Sequence, residues 1–378
     1  METSTSHVFQ TQVKEILGLD LSPLETLLTN LDSSQPLALQ SHAQTLLTFC
    51  KTHNPNSLSL KLAFLLCSSH RIDTRLASAT LLCRLLTPAG SHLWPRLPKI
   101  TQNEIKSILL ASLPKEFSRK VAKILCNLIS DIGLEIFPRN EWPELLDFLF
   151  RSLGHDSFGS QLHILQESAL VLFSNLSPKL GDIDIVFHRV DLLHLAFLKS
   201  MDSSCASHVR VAAFKASVNL VVFLITPSSY DRFQDLLFEM VKTTFELINM
   251  EQHEYAQSVL EDLIVLAATK PGFLRVHVAT VVDSMLKVAE KVSLEEKTRQ
   301  LGIEFVITLA EEREQGCGMV RKLPHLIIRL LSLLMKMLAV IEDDSSWHIA
   351  ESDEDNCRGN KCFLLWDGEL ESNCNCFA

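Results

Sequence analysis

A helix carrying one small or β-branched residue at a fixed site recurs along the chain. It appears in Arg75-Leu-Ala-Ser-Ala79, Arg119-Lys-Val-Ala122, Gln166-Glu-Ser-Ala169, Arg210-Val-Ala-Ala213, Ala256-Gln-Ser-Val259 and Arg299-Gln-Leu-Gly302, with sites 43, 47, 44, 46 and 43 residues apart. That period falls in the ~40–47 residue range of HEAT and armadillo helix repeats. A small residue at the site lets the second helix of a pair approach its neighbour without a void or a clash. Arg119, Arg210 and Arg299 stand three residues before their small site and Arg75 four before, where a guanidinium can bond the preceding turn.

Between these sites apolar residues follow helical spacing, as in Phe233, Leu236, Leu237, Met240, Val241, Thr244 and Ile248. Short breakers such as Asn54-Pro55-Asn56, Pro88-Ala89-Gly90 and Lys270-Pro271-Gly272 punctuate them. With only 12 Gly, 13 Pro and two Tyr in 378 residues, turns are sparse and the aromatic enrichment of an all-β chain is missing. The expected fold is all-α, a HEAT-repeat (ARM-like) right-handed superhelical solenoid of about seven and a half helix pairs. The predicted helices are an opening helix 7–18 and the pairs 22–32/36–52, 57–69/71–87, 101–113/117–132, 142–153/162–178, 183–201/206–225, 229–249/252–269 and 271–291/294–313. An unpartnered helix 319–341 follows. Residues 1–341 form the expected solenoid, and 342–378 an acidic loop with a disordered Cys-containing tail.

The net charge of −10 is concentrated at one end. From Glu342 to Ala378 ten acidic residues stand against two basic, leaving 35 acidic and 33 basic for the remaining chain. An acidic chain without a basic stripe argues against direct nucleic-acid binding. The most apolar stretch, Leu323 to Val340, contains Arg329 and Lys336, so membrane insertion is not expected. The start Met1-Glu-Thr-Ser-Thr-Ser has no signal-peptide character. The scattered cysteines Cys50, Cys67, Cys83, Cys126, Cys205 and Cys317 read as free thiols in a reducing compartment, cytosol or nucleus.

Catalytic constellations are lacking. In Gln252-His253-Glu254-Tyr255-Ala256-Gln257 the second histidine of a helical zinc motif is replaced by Gln257. There is no Walker loop, dinucleotide fingerprint or nucleophile elbow. Gly316-Cys317-Gly318 reads as a turn, and Cys357, Cys362, Cys374 and Cys376 match no zinc spacing. No enzyme activity, cofactor or metal is therefore expected.

Surface and shape remain, and a helical solenoid offers long faces for partners. Phe238 and Phe245 lie seven residues apart, away from the main stripe of their helix. Packing on the adjacent repeat is the favoured reading, a shallow pocket for an aromatic peptide the alternative. Asn175 and Asn219 follow their repeats' alanines by six residues and could form a polar ladder or equally just satisfy local backbone. Glu342, Asp343, Asp344, Trp347, Glu351, Asp353, Glu354 and Asp355 form an acidic run with one large aromatic, suited to a basic protein surface.

Several stretches resemble a known family. Leu93-Trp94-Pro95-Arg96-Leu97, Asn140-Glu-Trp142-Pro143, Asp231-Arg232-Phe233, Glu304 to Glu311, Arg321-Lys322-Leu323-Pro324, Leu334 to Leu338, Ile341 to Asp344 and Trp347-His348 are similar to the N-terminal part of the importin-beta family, of the importin-5 (karyopherin beta-3, Ran-binding protein 5) type and its plant forms in particular. The resemblance covers about residues 15–355. It implies a monomeric nuclear import receptor that binds Ran GTPase, basic cargo carrying a nuclear localisation signal and FG nucleoporins, in cytoplasm, nucleus and nuclear pore. It further implies Ran contacts along the inner helices of the early repeats and near the seventh and eighth, the inner helices being those that contain Arg75, Arg119, Arg210 and Arg299. The acidic run would meet basic cargo or Ran, and a nucleoporin pocket would lie near Phe187, Phe238 and Phe245. The resemblance stops near Asn356, so incomplete import activity is expected; a degenerate interaction scaffold without transport activity is the alternative.

Overall fold

The computed structural model describes residues 2–32, 34–139, 141–154, 160–180, 189–224, 230–312 and 315–339. Among them the regular elements are α-helices and short 3-10 turns, with no strand, as an all-α HEAT-repeat chain requires. No helix among the described residues is long and apolar enough to cross a membrane. The chain divides into two compact units, Met1–Ala196 and Phe197–Ala378.

The first unit holds α1 (Glu2–Leu17), α2 (Ser22–Asn30), α3 (Leu37–His53), α4 (Pro55–Ser68), α5 (Ile72–Leu86), α6 (Lys99–Ser112), α7 (Arg119–Ile136), α8 (Pro143–Gly154) and α9 (Ser160–Leu180). Pro55 and Pro143 open their helices, where the preset φ helps and the missing N–H is not needed. The pairs α4/α5 and α8/α9 are hairpins; α4 stacks on α6, and α5 on α7 on α9. Leu62, Leu82, Leu109, Leu125 and Leu176 are completely buried between these layers.

The second unit begins within α10 (Val190–Met201). It continues through α11 (Ser207–Phe223), α12 (Leu236–Asn249), α13 (His253–Thr269), α14 (Pro271–Leu274), α15 (Val278–Glu290), α16 (Glu296–Glu311), α17 (Gly316–Val320) and α18 (Leu326–Leu338). Here α12/α13 and α15/α16 are the hairpins, and α11, α13 and α16 form the second-helix stack.

The repeat register is visible in the packing. Ala79, Ala122, Ala169, Ala213, Val259 and Gly302 are all buried. A Cβ built on Gly302 would sit 2.7 Å from the carbonyl oxygen of Met285, so α16 approaches α15 closely enough to require glycine there. Arginines at the starts of the second helices bond the preceding segment: Arg75 donates to the Ser69 carbonyl (3.0 Å), Arg210 to Met201 (3.1 Å) and Arg299 to Ala289 (2.9 Å).

Arg75 and Arg210, together with Arg119, also tie successive hairpins. Arg75 grips Glu116 through Nε and Nη2 at 2.9 and 3.0 Å, and Glu116 Oε1 accepts the N–H groups of Phe117 and Ser118 at the turn into α7. Arg119 holds Glu167 on α9 in the same two-pronged way, at 2.8 and 2.6 Å. Arg210, 1% exposed, donates to Thr243 and Glu246 on α12. Gln257, in the second-histidine place of the degenerate zinc motif, donates to Glu295 (3.0 Å) and Thr298 (3.2 Å). Asn175 donates to Ser130 across α9 and α7 at 3.2 Å.

Three predicted helices are shorter than expected. In the 319–341 segment, α17 ends at Val320 and α18 starts at Leu326. Pro324 disfavours helical backbone in the residue before it, and His325 takes a left-handed φ of 61° that opens the new helix. The 271–291 segment splits into α14 and α15 at Arg275–His277, and 229–249 is described as a 3-10 turn, Asp231–Phe233, followed by α12.

Candidate binding surfaces

One junction in the first unit departs from the regular stack. α1 lies against α3, with Phe9 and Phe49 edge to face at 5.2 Å and Gln12 Oε1 3.2 Å from His42 Nε2. α5 meets α2, and a cleft of about 690 Å³ opens between α2, α3 and α5. Apolar side chains such as Leu28, Leu47 and Leu85 line its depth. Exposed Lys51, Arg71 and Arg84 line it with Asp32 and Asp73. None of the three cations has an ion-pair partner among the described residues. Lone cations beside an apolar floor suit a protein segment that brings its own carboxylates and buried side chains. The sequence offered no signal for this surface, because its residues come from three helices that only the fold brings together.

A second feature lies on α13. Asp262 Oδ2 is buried with no hydrogen-bond partner, and burial pushes its carboxyl up to about 6, against the pull of Lys215. A carboxyl so placed keeps its proton to higher pH than an exposed one. Cys126 is the opposite case: burial pushes its thiol up to about 12 and leaves it a packing residue. No cluster of three or more metal-ligating side chains is found among the described residues.

Of the residues singled out in the sequence, Phe238 is 69% exposed on α12, so the packing reading fails for it. Phe245, two turns along the same helix, is half-buried. Their Cα atoms stand about 10 Å apart at 1.5 Å per residue. Phe187 and the acidic run Glu342, Asp343, Asp344, Trp347, Glu351, Asp353, Glu354 and Asp355 lie outside the described residues, as do Cys357, Cys362, Cys374 and Cys376.

Hairpins stacked at a mid-forties period, tied by arginines at the second-helix starts, define a HEAT-repeat protein. Comparison with known proteins narrows the class. The family model for IPO5-like TPR repeats matches residues 117–284, and the importin repeat model matches 291–363. The observed period exceeds the ~34 residues of a TPR unit, so the hairpins here are HEAT-like. The second match also runs past Asn356, where the resemblance was expected to stop. The "Probable importin-5 homolog" of Dictyostelium discoideum is 22% identical over 326 residues, which cover 86% of this chain and 29% of that protein. The crystal structure of Kap121p bound to RanGTP matches with TM-score 0.65 and 18% identity over 96% of this chain and 32% of the other. Kap121p bound to Nup53p matches with TM-score 0.68 and 19% identity, over 92% and 32%. The two importin-type models and these relatives together support an importin-beta family member. It spans under a third of the length of these relatives.

Proposed function

We propose that the chain is a nuclear transport receptor, or the part of one that contacts Ran, shuttling between cytoplasm and nucleus. The observation that carries this reading is the match of importin-type models to residues 117–284 and 291–363. Its work is binding rather than catalysis, and it acts as a monomer. Ran in its GTP form docks on the second helices of the early hairpins, with Lys51, Arg71 and Arg84 at the α2/α3/α5 cleft among its contacts. Basic cargo with a nuclear localisation signal is drawn to the acidic run from Glu342 to Asp355. Phe238, with Phe245 beside it, receives phenylalanine-glycine nucleoporins, and Phe187 is a separate expected contact; the exposure of Phe238 supports this part.

Titration of purified protein with Ran-GTP and Ran-GDP tests the proposal. Tighter binding of the GTP form is the expected result, and equal or undetectable affinity for the two would remove it. A second reading, an interaction scaffold without a transport cycle, is favoured by the apolar side chains left exposed on α18. Nuclear accumulation of a basic reporter separates the two, since a scaffold leaves it unchanged.

A further inference from the structure

The face of α18 opposite α15 is uncovered. Ile328, Leu331, Met335 and Leu338 are 70, 56, 66 and 44% exposed, and their spacing makes one continuous stripe. The other side of the helix is seated: Leu326, Leu330 and Leu333 are buried, and Arg329 donates to Asp283 at 2.6 Å and to Glu290 at 2.6 and 2.8 Å on α15. In α15 the matching two sides are both buried, because α16 covers one of them. Among the described residues no second helix covers the stripe on α18.

Charge points to what covers it. Residues 316–339 contain Arg321, Lys322, Arg329 and Lys336 and no acidic residue. Exposed Lys322 and Lys336 have no ion-pair partner among the described residues. The residues that follow carry ten acidic and two basic side chains, and within them stands one compact apolar run, Cys362-Phe363-Leu364-Leu365-Trp366, followed by Asp367, Glu369 and Glu371. A second copy of α18 is a poor occupant, since it would set lysine against lysine.

We infer that the run Cys362–Trp366 of the same chain docks on the exposed stripe of α18, with Asp367, Glu369 and Glu371 placed against Lys322 and Lys336. Twenty-two residues, 340–361, join the two. A coil of that length has a dimension of about 26 Å, against roughly 20 Å for a 13-residue helix such as α18. Reach is thus sufficient, and tethering supplies an effective concentration on the order of millimolar. This inference stands whether or not the chain binds Ran.

Photo-crosslinking of the full chain with p-benzoylphenylalanine at position 363 tests it. Mass spectrometry should find crosslinks to residues 327–338 within one chain. Leu331→Glu with Met335→Glu, both at exposed positions, should lower the yield at least fivefold, and Lys322→Glu with Lys336→Glu should lower it by a smaller factor. Crosslinks confined to a covalent dimer would assign the stripe to a second copy and overturn the inference. Crosslinks only to other elements, no crosslinks, or a yield indifferent to the glutamates would do the same.

Discussion

In the first unit, one second helix, α5, has two different neighbours. Toward α7 it packs closely: Ala79 is buried, and Arg75 spans to Glu116, whose carboxylate is held by two further backbone N–H groups. Toward α3 it leaves a cleft, although α3 also buries a small residue, Ala43. What differs is the tie. α3 has no arginine at its start; it opens with Pro36-Leu37-Ala38, and α1 occupies its other side. A small residue permits close approach, and at the junctions that close, a side chain from a second helix also ties the two hairpins, charged in Arg75 and Arg119 and neutral in Gln257.

The comparison predicts unequal costs for two arginines four residues apart. Arg75→Met leaves the Glu116 carboxylate, 4% exposed, without its charged partner. Loss of one partner from a buried pair costs about 3 kcal/mol. Arg71→Met, at an exposed cation without a pair, should change stability by less than about 0.5 kcal/mol. Hydrogen exchange across α5 and α7 reads both, and repeat arrays need such a local probe because their hairpins can open separately. Equal protection in the two variants would show that the clamp does not close the junction.

Gly302→Ala tests the other component of a closed junction, the close approach. Its new Cβ would press on the Met285 carbonyl, which belongs to backbone and cannot rotate away. Overpacking of this kind costs about 2 kcal/mol, and faster amide exchange should appear in α15 and α16.

These two tests also mark how far the residues could be read in advance. The buried small sites and the helix spacing are local properties of α5, α7, α9, α11, α13 and α16, and each helix stands where its period places it. Partners are another matter. That Arg75 would find Glu116, or Arg119 Glu167, depends on how far one hairpin rotates on the next, which no spacing encodes. The break in the last helix was legible, since Pro324 lies inside it, but the apolar run on either side overrode that signal. Exposure of Phe238 was not legible, because a phenylalanine on a second stripe looks alike whether a neighbour covers it or not.

Asp262 supplies a test of opposite sign within a closed junction. Its folded-state carboxyl is raised to about 6 from an ordinary 3.8 by burial. Between those values the folded chain holds the proton and the unfolded chain does not, so stability falls as pH rises through the window and the whole cost is present above it. Asp262→Asn should therefore stabilise the α11/α13/α16 stack by about 1 kcal/mol at pH 7.5 and by little at pH 4. Denaturation midpoints at the two pH values check this. If the gain is equal at both, the carboxylate is not desolvated.

The smallest effect on stability is expected at the open junction itself, where it is most informative. Lys51→Glu with Arg84→Glu reverses two cations that no carboxylate holds. Like-charge repulsion with Asp32 and Asp73 across the cleft is screened by solvent, so unfolding should shift by under about 0.5 kcal/mol. Affinity for Ran-GTP should nevertheless fall, by tenfold or more if both cations meet carboxylates on docking. A cleft left open by imperfect packing would show the reverse, a change in stability with no change in binding. Measuring both quantities on one variant separates a surface held open for a partner from a junction that failed to close.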